Sequence, residues 1–484
     1  MAQPLECGSL MPLWYTPQQQ TPRNAVLPWL AVPSIARQTE GHTKAAPSCR
    51  TPKTLRVHGL CALLLSALCC IVATAQQTPQ PLTLQDCQRL AEGVPNPVTL
   101  AAQERRIADR DVTQARAGFL PQIEAQNAYN FNNASRSDRN NTSFVALNGI
   151  REYVLLGQVA QEFDTSGRLR AELQRARANQ DIARAGYDIT RRDLRRAVAL
   201  AFYRLLLTRQ LAATLRDALQ ESRAFEQRTK LLFEHGEAAQ ADVVKAQALT
   251  ASLEQARLAA ELEAGLANQE LAAFWTKDVT DDLALADALN ETPAPPEPGT
   301  AAGGNLAAYL QRPEFKLFDA QRRGFEADAK RARAALLPEF KFVFQYGLDA
   351  NTFSASERGQ AAFFTLRIPV FDWFRARSET EQFKLRAEQV ETQRVIAERA
   401  FSRDYQQAQT RVRRYFEQIK LTQEQVRLAG EDLRLSRIRY EGGEGAALDV
   451  VTAQQQLAQA RGNYFTALAN YLNAKADLEV AAGK

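Results

Sequence analysis

Beyond residue 76 this 484-residue sequence contains one cysteine, one histidine and no methionine. Cys7, Cys49, Cys61, Cys69 and Cys70 all precede that point, so Cys87 has no partner for an intrachain disulfide. His42, His58, Met1 and Met11 fall in the same N-terminal part, leaving His235 alone. A soft or borderline metal centre needs clustered His, Cys or Met ligands, so no metal and no cofactor is expected. A glycine-rich phosphate loop and a convincing catalytic triad are also missing. Asp278, Asp281 and Asp282 lie in a polar segment that reads as a solvated loop, so no enzyme is expected. Nor does charge ask for a nucleic-acid partner. The formal +5 is concentrated in residues 1–75, which hold six Lys or Arg against two acids, leaving 54 basic and 53 acidic residues beyond.

The N-terminal part has the order of an export signal. Lys53 and Arg56 precede an apolar core, Leu60 to Val72, which ends in Ala73-Thr74-Ala75. That core is too short for an ordinary transmembrane helix. Residues 54–75 are therefore expected to be a signal peptide cleaved after Ala75, and residues 1–53 a doubtful extension, with the true start near Leu55 or Val57. Cys69 and Cys70 lack the Leu-x-small sequence that a lipid-attachment cysteine carries just upstream.

What the sequence has in plenty is Ala, Gln, Arg and Glu, with aromatics at only 8%, the composition of long helices. Two stretches organise it. Gly236-Glu237-Ala238-Ala239-Gln240-Ala241-Asp242-Val243-Val244-Lys245-Ala246-Gln247 recurs 207 positions later as Gly443-Glu444-Gly445-Ala446-Ala447-Leu448-Asp449-Val450-Val451-Thr452-Ala453-Gln454. Each copy follows a long helical pattern that ends at glycines suited to a left-handed C-cap, and a new helix starts beside the Asp, which is placed to cap it. Each is read as the tip of a helical hairpin.

The segments around the tips also repeat. A helix from Leu82 to Arg116, interrupted early by Pro95-Asn96-Pro97, is followed by Leu120-Pro121 and a strand from Gln122 in which Ile123, Ala125, Tyr129 and Phe131 alternate with polar residues. A loop from Asn132 to Asn148 leads to a return strand at about Tyr153 to Phe163. A proline-free helix from about Thr165 to Phe233 spans roughly 100 Å at 1.5 Å per residue. After the tip a second helix runs from Asp242 to about Trp275, and Thr276 to Asn305 reads as an exposed proline-rich linker. The second half has a helix from about Leu306, Leu337-Pro338, a strand with Phe340, Phe342, Phe344 and Tyr346 on one face, a return strand ending near Pro369, a helix from Trp373 to Tyr440, a tip, and a last helix to about Val480. Residues 76–304 and 305–484 thus form two structural repeats. Trp275 and Trp373 are expected to anchor helix ends, and His235 to be an exposed tip residue.

Four strands with one apolar and one polar face cannot close a membrane barrel, which needs about eight, and an open edge in lipid is prohibitive. If they enter a bilayer, several chains must pool them; three would supply twelve. The helices carry seams at three- and four-residue spacing, such as Tyr405, Ala408, Val412, Tyr415, Ile419, Thr422 and on to Tyr440, which favour sustained packing between neighbouring helices.

The tip pattern, Tyr-x-x-Gly followed six residues on by Asp-Val-Val-x-Ala-Gln and doubled in the first half with Phe233 in place of Tyr440, resembles the TolC-type outer-membrane factor family of Gram-negative bacteria, from about Leu82 to the C-terminus. The resemblance implies a mainly α chain contributing to a transmembrane β-barrel: a homotrimer with a twelve-stranded barrel in outer-membrane lipid and a periplasmic α-helical barrel. It implies the passive exit duct of a tripartite efflux pump or type I secretion system, opened at its periplasmic tip. The partners implied are a periplasmic adaptor (membrane fusion) protein and, directly or through it, an inner-membrane pump. A periplasmic coiled-coil adaptor or scaffold protein is the alternative. Asp449 matches the position at which this family places a ring of carboxylates across the closed tip, so Asp449, Thr452 and Asp242 are the expected pore constriction, with Gly236, Gly443 and Gly445 in the tip turns. The family's next carboxylate is Thr452 here and its tip arginine falls at Gly445. Any latch must therefore differ, with Glu237, Glu444, Arg439 or Lys245 as candidates.

Overall fold

Prolines set where the helices of the computed structural model begin. It describes residues 81–131, 151–280, 282–286 and 308–484. The expected signal peptide, the N-terminal extension, the Asn132 to Asn148 loop, Asp281 and the proline-rich part of the linker lie outside these residues. The interrupted first helix is two helices, α1 (Leu84–Glu92) and α2 (Pro97–Ala117). Asn96 caps α2, its Oδ1 accepting from the Val98 amide at 2.7 Å and the Thr99 amide at 3.0 Å, while Pro97 occupies the first turn where no amide is missed. The helix expected from Leu306 starts later. Residues Ala308–Gln311 form one 3-10 turn and α5 runs Pro313–Ala334, because a residue before proline is pushed to extended backbone and Arg312 sits at φ −59°, ψ 134°.

The strands are β1 (Gln122–Phe131), β2 (Arg151–Phe163), β3 (Glu339–Ala350) and β4 (Arg358–Arg367), an antiparallel sheet in sequence order. Alternation holds at most positions, with Leu156, Val343 and Phe363 as apolar residues on the otherwise polar face. On one face Tyr129 meets Tyr153 at 5.0 Å between ring centroids, Phe163 meets Phe340 at 5.4 Å, and Phe342 meets Phe364 at 4.8 Å. On the other, the Gln158 amide donates to Glu124 at 2.6 Å and the Gln345 amide donates to Gln158 at 2.9 Å, a polar rung across three strands. Gly347 lets β2 and β3 close up, since a Cβ there would stand 2.0 Å from the Leu155 carbonyl oxygen. Pro369 lies just past the end of β4, where the chain leaves the sheet.

Two 67-residue helices, α3 (Arg168–Glu234) and α6 (Arg375–Glu441), run the length of the chain from the sheet to the tips, each followed by a shorter antiparallel helix, α4 (Gln240–Ala272) and α7 (Ala447–Ala481). Near the sheet α3 packs between α2 and α5, and α5 packs on α6; near the tips α3 packs between α4 and α7, and α7 packs on α6. The partners exchange midway. There Arg192 of α3 grips Glu314 of α5 through two hydrogen bonds of 2.8 and 3.0 Å. Arg312 adds one of 2.7 Å and lays its guanidinium 3.9 Å from the centre of the Phe401 ring on α6. The C-terminal end of α7 abuts the same turn; a Cβ at Gly483 would meet the Arg312 amide nitrogen at 2.8 Å.

The largest core surrounds this level, with Phe202, Leu205, Leu271 and Leu468 almost fully buried. Leu283 and Leu285 pack on it, and Leu82 and Leu285 form a parallel bridge, so the start of the expected linker is part of the fold rather than exposed. Leu283 and Leu285 carried an alternating apolar signal too short to stand out. Asp282 is exposed, as expected of a solvated loop, though it also pairs with Arg209. One stretch of α3 is long and apolar enough to cross a membrane by composition, yet it belongs to a helix whose Val198, Phe202, Leu205 and Leu206 are core residues.

Candidate functional site

Both tips are built the same way. At the end of α3 the Glu237 amide donates to the Leu232 carbonyl at 2.8 Å and the Gly236 amide to Phe233 at 3.0 Å; at the end of α6 Glu444 donates to Arg439 at 3.0 Å and Gly443 to Tyr440 at 3.1 Å. These are paired six-to-one and five-to-two closures, which need a left-handed residue. Gly236 (φ 80°) and Gly443 (φ 75°) supply it. Gly445 is needed for another reason. A Cβ there would lie 3.0 Å from the Tyr440 nitrogen and 3.1 Å from the Arg439 side chain.

The aspartates stand one turn inside the helices. Helix α4 has Ala239 at its N-cap and α7 has Ala446, so Asp242 and Asp449 are third in their first turns rather than caps. From that place the Asp449 carboxylate reaches back towards the Ala446 amide at 3.4 Å, beside the positive end of the helix dipole. Asp449 is exposed and makes no ion pair among the described residues, whereas Asp242 is half-buried and takes Lys245 at 3.4 Å. Thr452 is exposed one turn further along α7. It lines an open groove of about 820 Å³ between α6 and α7, with Leu421, Gln425, Leu428, Gln455 and Gln459.

Of the latch candidates, Glu237, Glu444 and Arg439 make no ion pair among the described residues, and Lys245 pairs within its own helix. His235 is exposed, as expected. The contacts that do tie the second hairpin to α3 escaped the sequence reading. Arg437 meets Glu221 at 3.0 Å, Arg228 meets Glu441 at 3.2 Å, and the rings of Phe225 and Tyr440 lie 5.3 Å apart. The buried Gln454 donates to the Glu221 carbonyl at 3.5 Å, while its Oε1 and the Tyr440 hydroxyl are buried with no hydrogen-bond partner among the described residues. Their charges recur at helical spacing like any solvated face, so nothing in the sequence marked them as cross-ties.

The sheet is the second functional surface. Ile123 is 81% exposed and Phe364 70%, with Tyr129, Phe131, Leu155, Tyr346 and Leu366 also standing out from the same aromatic face. Water is a poor solvent for such a face and lipid a good one. Among the described residues β1 and β4 are paired on one side only. The helices also leave apolar rows bare, including Leu258, Leu262 and Leu266 on α4 and Leu421, Leu428 and Leu435 on α6.

This architecture has solved relatives. The CmeC outer membrane channel of Campylobacter jejuni superposes with a TM-score of 0.72 at 16% identity, over 83% of this chain and 85% of that one. The open state of the Neisseria gonorrhoeae MtrE outer membrane channel gives 0.71 at 20% identity, over 83% and 88%. In sequence the chain is 26% identical over 390 residues to protein CyaE of Bordetella pertussis, covering 77% of this chain and 78% of that protein. Residues 98–276 and 307–484 match the outer membrane efflux protein family. The chain belongs to that family of channel proteins: it is an outer-membrane exit duct, extending into the periplasm, for an efflux or secretion system.

Proposed function

We propose that three copies of this chain close into one duct, that the duct is passive with no catalytic step of its own, and that it opens at the tips formed by residues 234–242 and 441–449. The carrying observation is incompleteness. Among the described residues the sheet has an open strand edge on each side, an arrangement lipid does not tolerate, and twelve strands from three chains would remove every edge. The bare leucine rows of α4 and α6 lie on the two outer helices of the tip half, where a second copy would cover them. The polar rung of Glu124, Gln158 and Gln345 then lines water, and the aromatic face meets lipid.

In that assembly Asp449 is repeated three times around the mouth, with Thr452 a turn deeper and Asp242 partly neutralised by Lys245. Like charges in a narrow mouth repel one another and attract cations. The under-satisfied joint of Gln454 and Tyr440 against α3 is where the second hairpin parts from the first during opening. A periplasmic adaptor protein contacts the tips and an inner-membrane pump supplies the energy. Asp449→Asn tests the mouth in planar bilayers: altered single-channel conductance or weaker block by multivalent cations is expected. An unchanged pore would reduce Asp449 to a helix-terminus residue. Migration of the outer-membrane protein as a heat-sensitive trimer tests the assembly, and a monomer under mild detergent would overturn it.

A further inference from the structure

Between β4 and α6 the chain reads Ile368-Pro369-Val370-Phe371-Asp372-Trp373-Phe374, and five of these side chains are large, apolar and 57–92% exposed. Phe371 packs edge-on against Trp373 at 4.8 Å and Phe374 at 6.1 Å, so the rings cluster with one another rather than with the core. Trp373, expected to anchor a helix end, stands at the start of α6 and is 83% exposed. Trp373 (φ 55°) and Phe374 (φ 60°) are also the only non-glycine residues at positive φ among those described. An L side chain is strained there, and such strain persists where a side chain is needed for another purpose.

The first repeat supplies the control. Residues 161–167, 207 positions earlier, make the same junction between β2 and α3 as Gln-Glu-Phe-Asp-Thr-Ser-Gly, with Gly167 at φ 81° and open space around it. A glycine therefore suffices for the turn. The second repeat puts Phe374 where Gly167 stands and turns Trp373 to positive φ as well, where the first repeat has Ser166 at ordinary φ, so the need for one left-handed residue does not explain the aromatic pair.

Charge and position do. Arg367, Arg375 and Arg377 flank the segment, exposed and without an ion pair among the described residues, and its one acid, Asp372, accepts from the Ala376 amide at 2.9 Å. The segment continues β4, whose Phe364 and Leu366 belong to the aromatic face, at the end of the sheet where the helices begin. Aromatic rings flanked by arginines suit the headgroup boundary of an anionic leaflet. We propose that residues 367–377 are an interfacial anchor of the second repeat. Phe371, Trp373 and Phe374 lie at the ester level of the inner-leaflet phospholipids of the outer membrane, and the three arginines meet anionic headgroups. The proposal rests on the strands crossing that membrane, and fixes how deep they sit.

Brominated phospholipids test it. The full-length protein is reconstituted into phosphatidylethanolamine and phosphatidylglycerol vesicles carrying bromine near the carbonyl or near the methyl end of the chains, and tryptophan emission is read for the wild type and Trp373→Phe. Carbonyl-end bromine is expected to quench the wild type more strongly, with that excess lost in Trp373→Phe. Arg375→Gln with Arg377→Gln is expected to reduce the quenching most in vesicles rich in phosphatidylglycerol. Phe374→Gly keeps the left-handed turn and guards against misfolding; the heat-resistant assembly should survive while the remaining Trp373 emission shifts to the red. If the protein inserts and conducts but Trp373 is unquenched, or if Trp373→Phe instead weakens the trimer, the anchor is refuted and the duct stands. If the protein fails to enter the vesicles at all, the membrane reading falls with it.

Discussion

Replacing Glu314 with glutamine tests whether the changeover level holds the two halves of the chain together. The carboxylate accepts from Arg192 and Arg312 together, and its side chain is only 15% exposed. Burial by itself would raise the carboxyl, but the hydrogen bonds from Arg312 and Arg192 outweigh it and bring the pKa from 4.5 down to about 2. A group depressed on folding contributes stability above its unfolded value of 4.5 and loses it as pH falls through the folded value of about 2. The gap corresponds to about 3 kcal/mol per chain. Glu314→Gln keeps the shape and removes the charge, leaving two guanidiniums facing each other. Arg192 retains Asp193 and Arg312 retains the Phe401 ring, so the cost at pH 7 should lie near the low end for a broken buried pair, about 3 kcal/mol. The readout is thermal loss of the far-UV helix signal in detergent, at steps from pH 7 to pH 2. The wild type should start higher and fall between pH 4.5 and 2, meeting a flatter variant curve at the acid end. Other depressed carboxylates such as Glu92 and Glu226 titrate alike in both proteins and cancel. Curves that stay parallel through that window, or no loss at pH 7, would refute the reasoning.

Three further outcomes are expected. Leu205→Ala, at a site with no exposure beside Phe202, should lower stability by about 2–5 kcal/mol in chemical denaturation, because the long helices around it cannot close the gap. Leu421→Ala, 72% exposed on one chain, should barely change the unfolding of a dissociated chain but, if the proposed trimer forms, lower the temperature at which the assembly falls apart on a gel. Gly443→Ala should cost about 1–2 kcal/mol locally, since an L side chain would be forced into the left-handed turn, and should appear as faster amide exchange at Glu444 and quicker proteolytic nicking of the second tip.

Much of this architecture was legible because it is periodic. The 207-residue offset that relates the tips also relates the starts of α3 and α6, of α4 and α7, and of β2 and β4. The seam from Tyr405 to Tyr440 is buried at Tyr405, Ala408, Val412, Ile419, Thr422 and Leu433, as the spacing required. What resisted reading was of two kinds. Boundaries shifted by a few residues: Pro313 delays α5, and the helices after the tips have their N-caps at Ala239 and Ala446, ahead of Asp242 and Asp449. Contacts between elements far apart in sequence left no local mark. Glu221 and Arg437 are 216 residues apart, and Arg192 and Glu314 are 122 apart, yet each looks like an ordinary exposed helix charge. Leu421, Leu428 and Leu435 escaped because a second heptad row beside the main seam reads as a broader apolar stripe, when on one chain it stays bare.

The distribution of packing along the chain argues for where a duct of this build opens. Midway, α3 and α6 are held by large groups: Phe202, Leu205, Leu271, Leu468 and Tyr471 in the core, and the Arg192, Arg312 and Glu314 network beside Phe401. Toward the tips the buried set mixes Ala218, Ala246, Ala447 and Ala453 with Leu219, Phe225, Leu249, Leu253, Leu433 and Val450, and toward the sheet it is mostly alanine, as at Ala171, Ala178, Ala327 and Ala334. Burial stabilises in proportion to area, roughly 25 cal/mol per Å², so an alanine seam holds far less than a leucine or phenylalanine one. The cross-ties there are half-exposed ion pairs, each worth about 1 kcal/mol or less. Because the shorter helices exchange midway, α7 can swing with the tip half of α6 against α3 while α2 and α5 keep the sheet half fixed. Beyond the midway core, the end carrying Asp449 and the glycine turns is tied to α3 across the hairpins by half-exposed pairs, and motion there would leave the strand pairing untouched.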